Sequence, residues 1–278
     1  MSRKPVHQVK VIAITSGKGG VGKTNLAVNL GLALCQLGKR VVLIDADLGL
    51  ANVDVLFGLT PQYNIHHVIS GQKDVLDIMI EGPLGLNILP ASSGIEELTS
   101  LDTLQQKIFL EHFEKVRKHV DYVLIDTEAG LGKNAINFNL AADDVFVVCT
   151  PEPTSTIDAY AMIKTLLAHN NDVNIKLVLN MVKNEKEAQK LGQKMITITK
   201  QFLNRGISME GFIVRDEAVP KSVKRQRPFY LEFPYSRATE CVRTMAYKIS
   251  GQKRDLKSNA GYEENMKKAL YRLASIVS

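Results

Sequence analysis

The run Gly17-Lys18-Gly19-Gly20-Val21-Gly22-Lys23-Thr24 constrains this 278-residue chain more than any other stretch. It fits G-x-x-x-x-G-K-[ST], the phosphate-binding loop of nucleotide hydrolases, a loop that works only between a strand and a helix. Both flanks comply. Residues 9–14 are rich in β-branched side chains and read as a buried strand, and residues 25–37 carry Leu26, Leu30, Ala33, Leu34 and Leu37 at helical spacing. Glycines let the backbone curl with its N–H groups turned inward, and the helix start adds its positive dipole end. Together they make a concave seat for polyphosphate. Lys23 would reach the β- and γ-phosphates, and the Thr24 hydroxyl would ligate Mg²⁺.

The rest of the chain repeats the same alternation. Apolar runs at 39–45, 86–90, 122–126, 145–149, 175–180 and 210–214 read as strands. Helical patterns lie between them, among them 101–119 (Leu104, Ile108, Phe109, Phe113 and Val116 on one side), 155–167 and 185–202. The fold class is therefore α/β: a P-loop NTPase fold, with a mostly parallel, twisted sheet covered by helices on both faces. Residues 1–250 form one nucleotide-binding domain. From 251 to 278 a polar linker leads into a last helical pattern.

In such a sheet, ligands bind beyond the carboxyl ends of the strands. Four chemically suggestive segments fall there: the phosphate loop, 45–47, 126–132 and Asn180. Asp126 ends an apolar strand and suits holding Mg²⁺ directly or through water, although a carboxylate there also serves as a plain strand cap. Thr24, Asp45 and Asp126 make the candidate metal set. Asp47 suits orientation of an attacking water, while Asp-Leu-Gly is also ordinary turn chemistry. Cys35, Cys149 and Cys241 are odd in number and form no C-x-x-C, so structural zinc is not expected and a reducing cytoplasm is. Cys35 and Cys149 lie in apolar surroundings and are expected in the core. No signal peptide or bilayer-spanning run is read in the sequence. The net charge of +6 permits an anionic partner.

The string KGGVGKT resembles the deviant Walker A motif of the MinD/ParA family of ATPases. In that family the equivalent of Lys18 crosses a dimer interface to the partner's nucleotide; spacing alone leaves a solvated surface lysine open. Asp45-Ala46-Asp47-Leu48-Gly49 is similar to switch I, whose second aspartate supports hydrolysis, and Asn52 matches a position that places water or meets the partner subunit. Asp126-Thr127 begins what resembles switch II. Asn180 matches the asparagine that reads adenine, a base whose edge offers both a donor and an acceptor to an amide.

The resemblance implies a catalytic set of Lys18, Lys23 and Asp47. It implies a nucleotide-binding set of Gly17, Lys18, Gly19, Gly20, Val21, Gly22, Lys23, Thr24, Asn25, Asn180, Arg215 and Asp216. Lys18, Asn52, Glu128 and Glu152 form its dimer or switch set. Residues 48–58 and 151–164 narrow the likeness to the flagellar regulator branch, FlhG or FleN, over roughly residues 8–250.

That branch implies ATP/ADP and Mg²⁺ as cofactors, slow hydrolysis, and a homodimer formed with ATP. Its partners are an FlhF-type GTPase and a flagellar master transcription activator, and direct DNA binding is not expected. A positioning ATPase for division or DNA segregation, and a nucleotide-bound scaffold that hydrolyses little, remain as alternatives. An iron–sulfur role is not expected, because no cysteine lies near 126–132.

The chain also departs from the family. Glu128 stands where relatives carry glycine or alanine, and it would repel the γ-phosphate unless it points away or recruits a cation. Val214-Arg215-Asp216 replaces a proline-containing segment that touches adenine. The few residues before the first strand do not show the longer segment that stimulates FlhF in some relatives. At the other end, Tyr262, Met266, Ala269, Leu270, Leu273, Ile276 and Val277 share one side of a helical pattern. Relatives use such a tail to hold anionic membrane, which would add ATP-dependent attachment at the inner membrane face, at the pole, to a cytoplasmic protein. Packing on its own domain is the other use of the same stripe.

Overall fold

The strand that feeds the phosphate loop lies inside the sheet, with the loop at its carboxyl end. The computed structural model describes residues 9–46, 57, 62–90, 111–112, 114–116 and 118–253. Its strands are β1 (Lys10–Ser16), β2 (Val41–Ala46), β3 (Ile80–Glu81), β4 (Asn87–Pro90), β5 (Tyr122–Ala129), β6 (Asp144–Cys149), β7 (Ile175–Val182) and β8 (Ser208–Val214). They form one sheet in the order β3-β4-β2-β5-β1-β6-β7-β8. Every pairing is parallel except β3 with β4. Parallel strands buried on both faces need apolar side chains pointing both ways, and β2 and β6 are buried at every position.

The helices are α1 (Lys23–Gln36), α2 (Ile65–Ile69), α3 (Val75–Ile78), α4 (Lys133–Ala141) and α5 (Pro153–His169). After them come α6 (Glu185–Leu203), α7 (Ala218–Lys224), α8 (Phe229–Glu232) and α9 (Arg237–Ser250). Alternation along the strands sorts their side chains into two faces. Ile12, Ile14, Leu43, Leu124 and Phe146 pack against Leu30, Leu34, Tyr230 and Val242 of α1, α8 and α9. On the other face, Val145, Val147 and Leu177 meet Ile136, Met162 and Met195 of α4, α5 and α6. Beside them, Val42, Ile44 and Val123 meet Ile65, Val75 and Val116. Each such side chain contributes about 1.5–3 kcal/mol on burial, so both faces are needed to hold the sheet.

The parallel sheet expected from the alternation is what forms. The reading missed β3, whose two residues are too short to show a period. Of the helix expected at 101–119, residues 111–112, 114–116 and 118–119 are described; 111–112 and 114–116 are helical, while 118–119 form a turn, so the helix stops short of the expected end. The tail pattern from Tyr262 lies outside the described residues; α9 ends at Ser250 and Gly251 closes it in the left-handed region at φ 66°. Cys35 and Cys149 are core residues, and burial pushes both thiols up to about 12. Among the described residues no helix is long and apolar enough to cross a membrane.

A chain of charges crosses the strand starts on the α9 face. Asp144 Oδ2 lies 2.7 Å from Lys10 Nζ and 2.9 Å from Lys176 Nζ. Lys176 also reaches Glu210 at 3.1 Å, and Lys248 of α9 reaches Glu210 at 3.4 Å. Burial pushes the Asp144 carboxyl up, but the ammonium groups of Lys10 and Lys176 outweigh it and hold the group below its ordinary range. Burial pulls Lys176 down, and Asp144 and Glu210 outweigh that and raise it.

A depressed carboxylate stabilises the fold above its unfolded pKa, and that stability is lost as pH falls through the folded value. A raised lysine stabilises below its unfolded pKa and loses the effect as pH rises through the folded one. Both are present between roughly pH 5 and pH 10. Lys176→Met removes the cation shared by two buried carboxylates and leaves each with one lysine, Asp144 with Lys10 and Glu210 with Lys248, a loss of about 3 kcal/mol. The melting temperature at pH 7 is expected to fall by roughly 6–12 °C, read by thermal denaturation.

Candidate functional site

β1 ends at Ser16, whose hydroxyl donates to the Lys18 carbonyl at 2.7 Å and starts the curl of the loop. Gly17 passes so close to α5 that a Cβ there would collide with the Asp158 carbonyl, so no other residue fits without moving the helix. Gly22 sits at φ 92° and N-caps α1 with no capping side chain. A helix start without a capping side chain suits an anion. Lys23 opens α1 and is only 7% exposed, and Thr24 and Asn25 follow it in the first turn.

The acidic residues arrive on neighbouring strands. Asp45 of β2 and Asp126 of β5 are register partners, and both are buried. Alternation places them on the same face as Leu43 and Leu124, the face covered by α1. Adjacent strands run about 5 Å apart, and two buried carboxylates at paired positions on them favour a cation beside them. With the Thr24 hydroxyl at the start of α1, the oxygen donors fit a hard divalent ion such as Mg²⁺.

Asn180, near the end of β7, braces the loop from the other side. Its Nδ2 donates to the Val21 carbonyl at 2.7 Å, and its Oδ1 accepts from the Met181 N–H at 2.8 Å. A Cβ at residue 22 would strike the Nδ2 of this amide, so glycine there leaves Asn180 its place. Met181 is held at φ 59°, uncommon outside glycine. Each end of the Asn180 amide keeps one hydrogen-bonding valence, enough for an adenine edge. Asn180→Ala is expected to weaken ATP about tenfold and GTP less, measured by nucleotide titration. An equal loss for both nucleotides would leave Asn180 as a brace alone.

Arg215 follows β8 and is exposed, and its N–H donates to the Val182 carbonyl at 2.7 Å. Asp216 accepts from the Ala218 N–H at 2.9 Å and the Ala238 N–H at 3.1 Å, so it caps the starts of α7 and α9. Glu128 leans over Gly132, the N-cap of α4, where a side chain would collide with its Oε1. That helix start carries partial positive charge and offsets the carboxylate. Asp47 and Asn52 lie outside the described residues.

Lys18 is at the lip of the loop. Its ammonium lies 3.2 Å from both Glu152 Oε2 and Thr154 Oγ1, where β6 turns into α5. Lys18 and Glu152 are 42% and 66% exposed. The structure thus joins Lys18 with Glu152, the loop with Asn180, and Asp45 with Asp126, all at the carboxyl ends of parallel strands. Sequence reasoning missed Thr154 and Asp158. The string 151–164 contains both, but nothing local marks them as neighbours of the loop.

Known proteins are similar to this chain in sequence and fold. A family model described as an AAA domain matches residues 9–179. The antiactivator FleN of Pseudomonas aeruginosa is 42% identical over 244 residues, 88% of this chain and 87% of FleN. The flagellum site-determining protein YlxH of Helicobacter pylori is 39% identical over 191 residues, 69% of this chain and 64% of YlxH. Among solved structures, a chain of the MinC:MinD cell division protein complex of Aquifex aeolicus superposes with a TM-score of 0.71 and 30% identity. That match covers 90% of this chain and 98% of the other. A MinD of Pyrococcus horikoshii complexed with Mg-ADP has the same fold, with a TM-score of 0.69 at 22% identity, covering 87% and 96% of the two chains.

Proposed function

This chain belongs to the MinD/ParA-type family of P-loop ATPases, and we propose that it is an ATP-operated dimerising switch that regulates flagellar number and placement. The observation that carries the switch is the contrast between the two lysines of one loop. Lys23 is buried at the loop floor, whereas Lys18 stands exposed at its lip on a salt bridge to Glu152. A lysine needed only for nucleotide in its own subunit would be placed like Lys23. The flagellar part rests on the likeness to FleN and YlxH.

Lys23 would face the β- and γ-phosphates, and Thr24, Asp45 and Asp126 would hold Mg²⁺ directly or through water. Bound Mg²⁺ supplies charge that offsets the phosphates. Asp47 orients the attacking water, and Asn180, Arg215 and Asp216 surround the base. Lys18 leaves Glu152 and crosses to the partner subunit's phosphates, with Asn52 and Glu128 at the same face. Hydrolysis removes the γ-phosphate contacts and releases the dimer. The dimer acts on an FlhF-type GTPase and a flagellar transcription activator. It works in the cytoplasm, with the 262–277 stripe as its contact to anionic membrane.

Size-exclusion chromatography with light scattering tests the reading. With ADP the mass should be that of one chain, 30.8 kDa, and with a non-hydrolysable ATP analogue twice that. One chain's mass in both conditions would overturn the switch. Single-turnover ATP hydrolysis decides between a switch and a scaffold that hydrolyses little.

A further inference from the structure

We infer that Asn139 is a positioning residue that couples the loop after β5 to the phosphate loop, and that it does so at a cost in stability. Asn139 lies in α4, the helix that follows residues 126–132, and its side chain is fully buried. Its Nδ2 donates to Thr15 Oγ1 at 3.1 Å. Thr15 is itself fully buried and stands two residues before Gly17. The other end of the amide, Oδ1, is buried with no hydrogen-bond partner. An unpaired buried carbonyl is destabilising, and an apolar side chain of similar size would avoid the loss. The neighbours on α4 are suited to that, since Ala135 and Ile136 are buried apolar residues.

A second side-chain bond reaches β1 from the other side of the segment, out of β5. Thr127 Oγ1 donates to the Ile14 carbonyl at 3.1 Å, also in the interior. The segment 128–132 is thus tied to β1 before it, at Ile14, and after it through α4, at Thr15. Any movement of that segment which carries α4 must pull on the residue next to the mouth of the phosphate loop. The β5 end is already held by the strand ladder with β1, so the Asn139–Thr15 bond is what fixes the register of the α4 end, where apolar packing alone tolerates sliding.

The inference rests on the ATPase reading, and the experiment separates the two. Asn139→Leu, Thr15→Val and the double variant are compared with the full chain. Asn139→Leu should melt at or above the wild-type temperature without nucleotide. KM for ATP should stay within about twofold, while kcat falls roughly tenfold, the scale of a small misplacement at a reacting centre. Thr15→Val should lower kcat similarly, and the double variant should be no slower than either single one, because one contact is removed in all three. Amide hydrogen exchange supplies a readout apart from turnover. ADP should slow exchange across α4 in the wild type and fail to do so in Asn139→Leu, although the variant binds ADP equally.

Wild-type kcat and wild-type exchange in both single variants would overturn the coupling. So would a melting temperature and kcat that fall together, which marks Asn139 as packing only. If the wild type hydrolyses no ATP, the ATPase reading fails, and the exchange comparison alone decides the coupling.

Discussion

Lys23→Ala is expected to abolish nucleotide binding. The side chain is 7% exposed at the start of α1, directly after Gly22 of the loop. Truncating a buried, charge-paired group costs about 3 kcal/mol or more, a factor on the order of 100 in affinity. The glycines and the helix start remain, so a residual millimolar phosphate affinity is the most that survives. Titration with a fluorescent ADP analogue reads this directly. Affinity within a few-fold of wild type would remove the phosphate-loop assignment, since no other lysine of the loop lies in its floor.

Lys18→Ala should give the opposite pattern. Its ammonium pairs with Glu152 and Thr154 at the surface, where such a pair is worth at most about 1 kcal/mol. That is too little to hold Lys18 against a polyphosphate presented by a second subunit. The variant is expected to bind ATP within about twofold of wild type and to stay monomeric in light scattering with the ATP analogue. Dimerisation equal to wild type would leave Lys18 a solvated lysine of the loop lip. Reading the two variants together matters, because a loss of dimer in Lys23→Ala follows trivially from lost nucleotide.

How much of this was legible in the sequence depended on range. The phosphate loop was, because its glycines act within eight residues and its flanking strand and helix show their own periods. The sheet was, because parallel strands buried on both faces leave apolar runs that turn residues cannot imitate. Asp45 and Asp126 were readable as strand-end carboxylates, but their adjacency was not; it follows from the order of β2 and β5, which only the packed chain reveals. The same holds for Asn180, whose place at a strand end was visible while its bond to the Val21 carbonyl was not. Asn139 carried no signal at all. In the sequence it is one polar residue on a short helix, and only its burial against Thr15 sets it apart.

The two ends of α9 have different neighbours. Its start is capped by Asp216, just past the carboxyl end of β8. Its last turn is held at the opposite rim, where Tyr122 Oη donates to the Ile249 carbonyl at 3.2 Å and Gln252 Nε2 to the Leu37 carbonyl at 3.2 Å. Fourteen residues of helix span about 21 Å. α9 is therefore a strut that delivers the chain, at residue 253, to the rim opposite the carboxyl ends of the strands. Whatever sits over the carboxyl ends of the strands meets the end of this strut opposite to the one that carries residue 253.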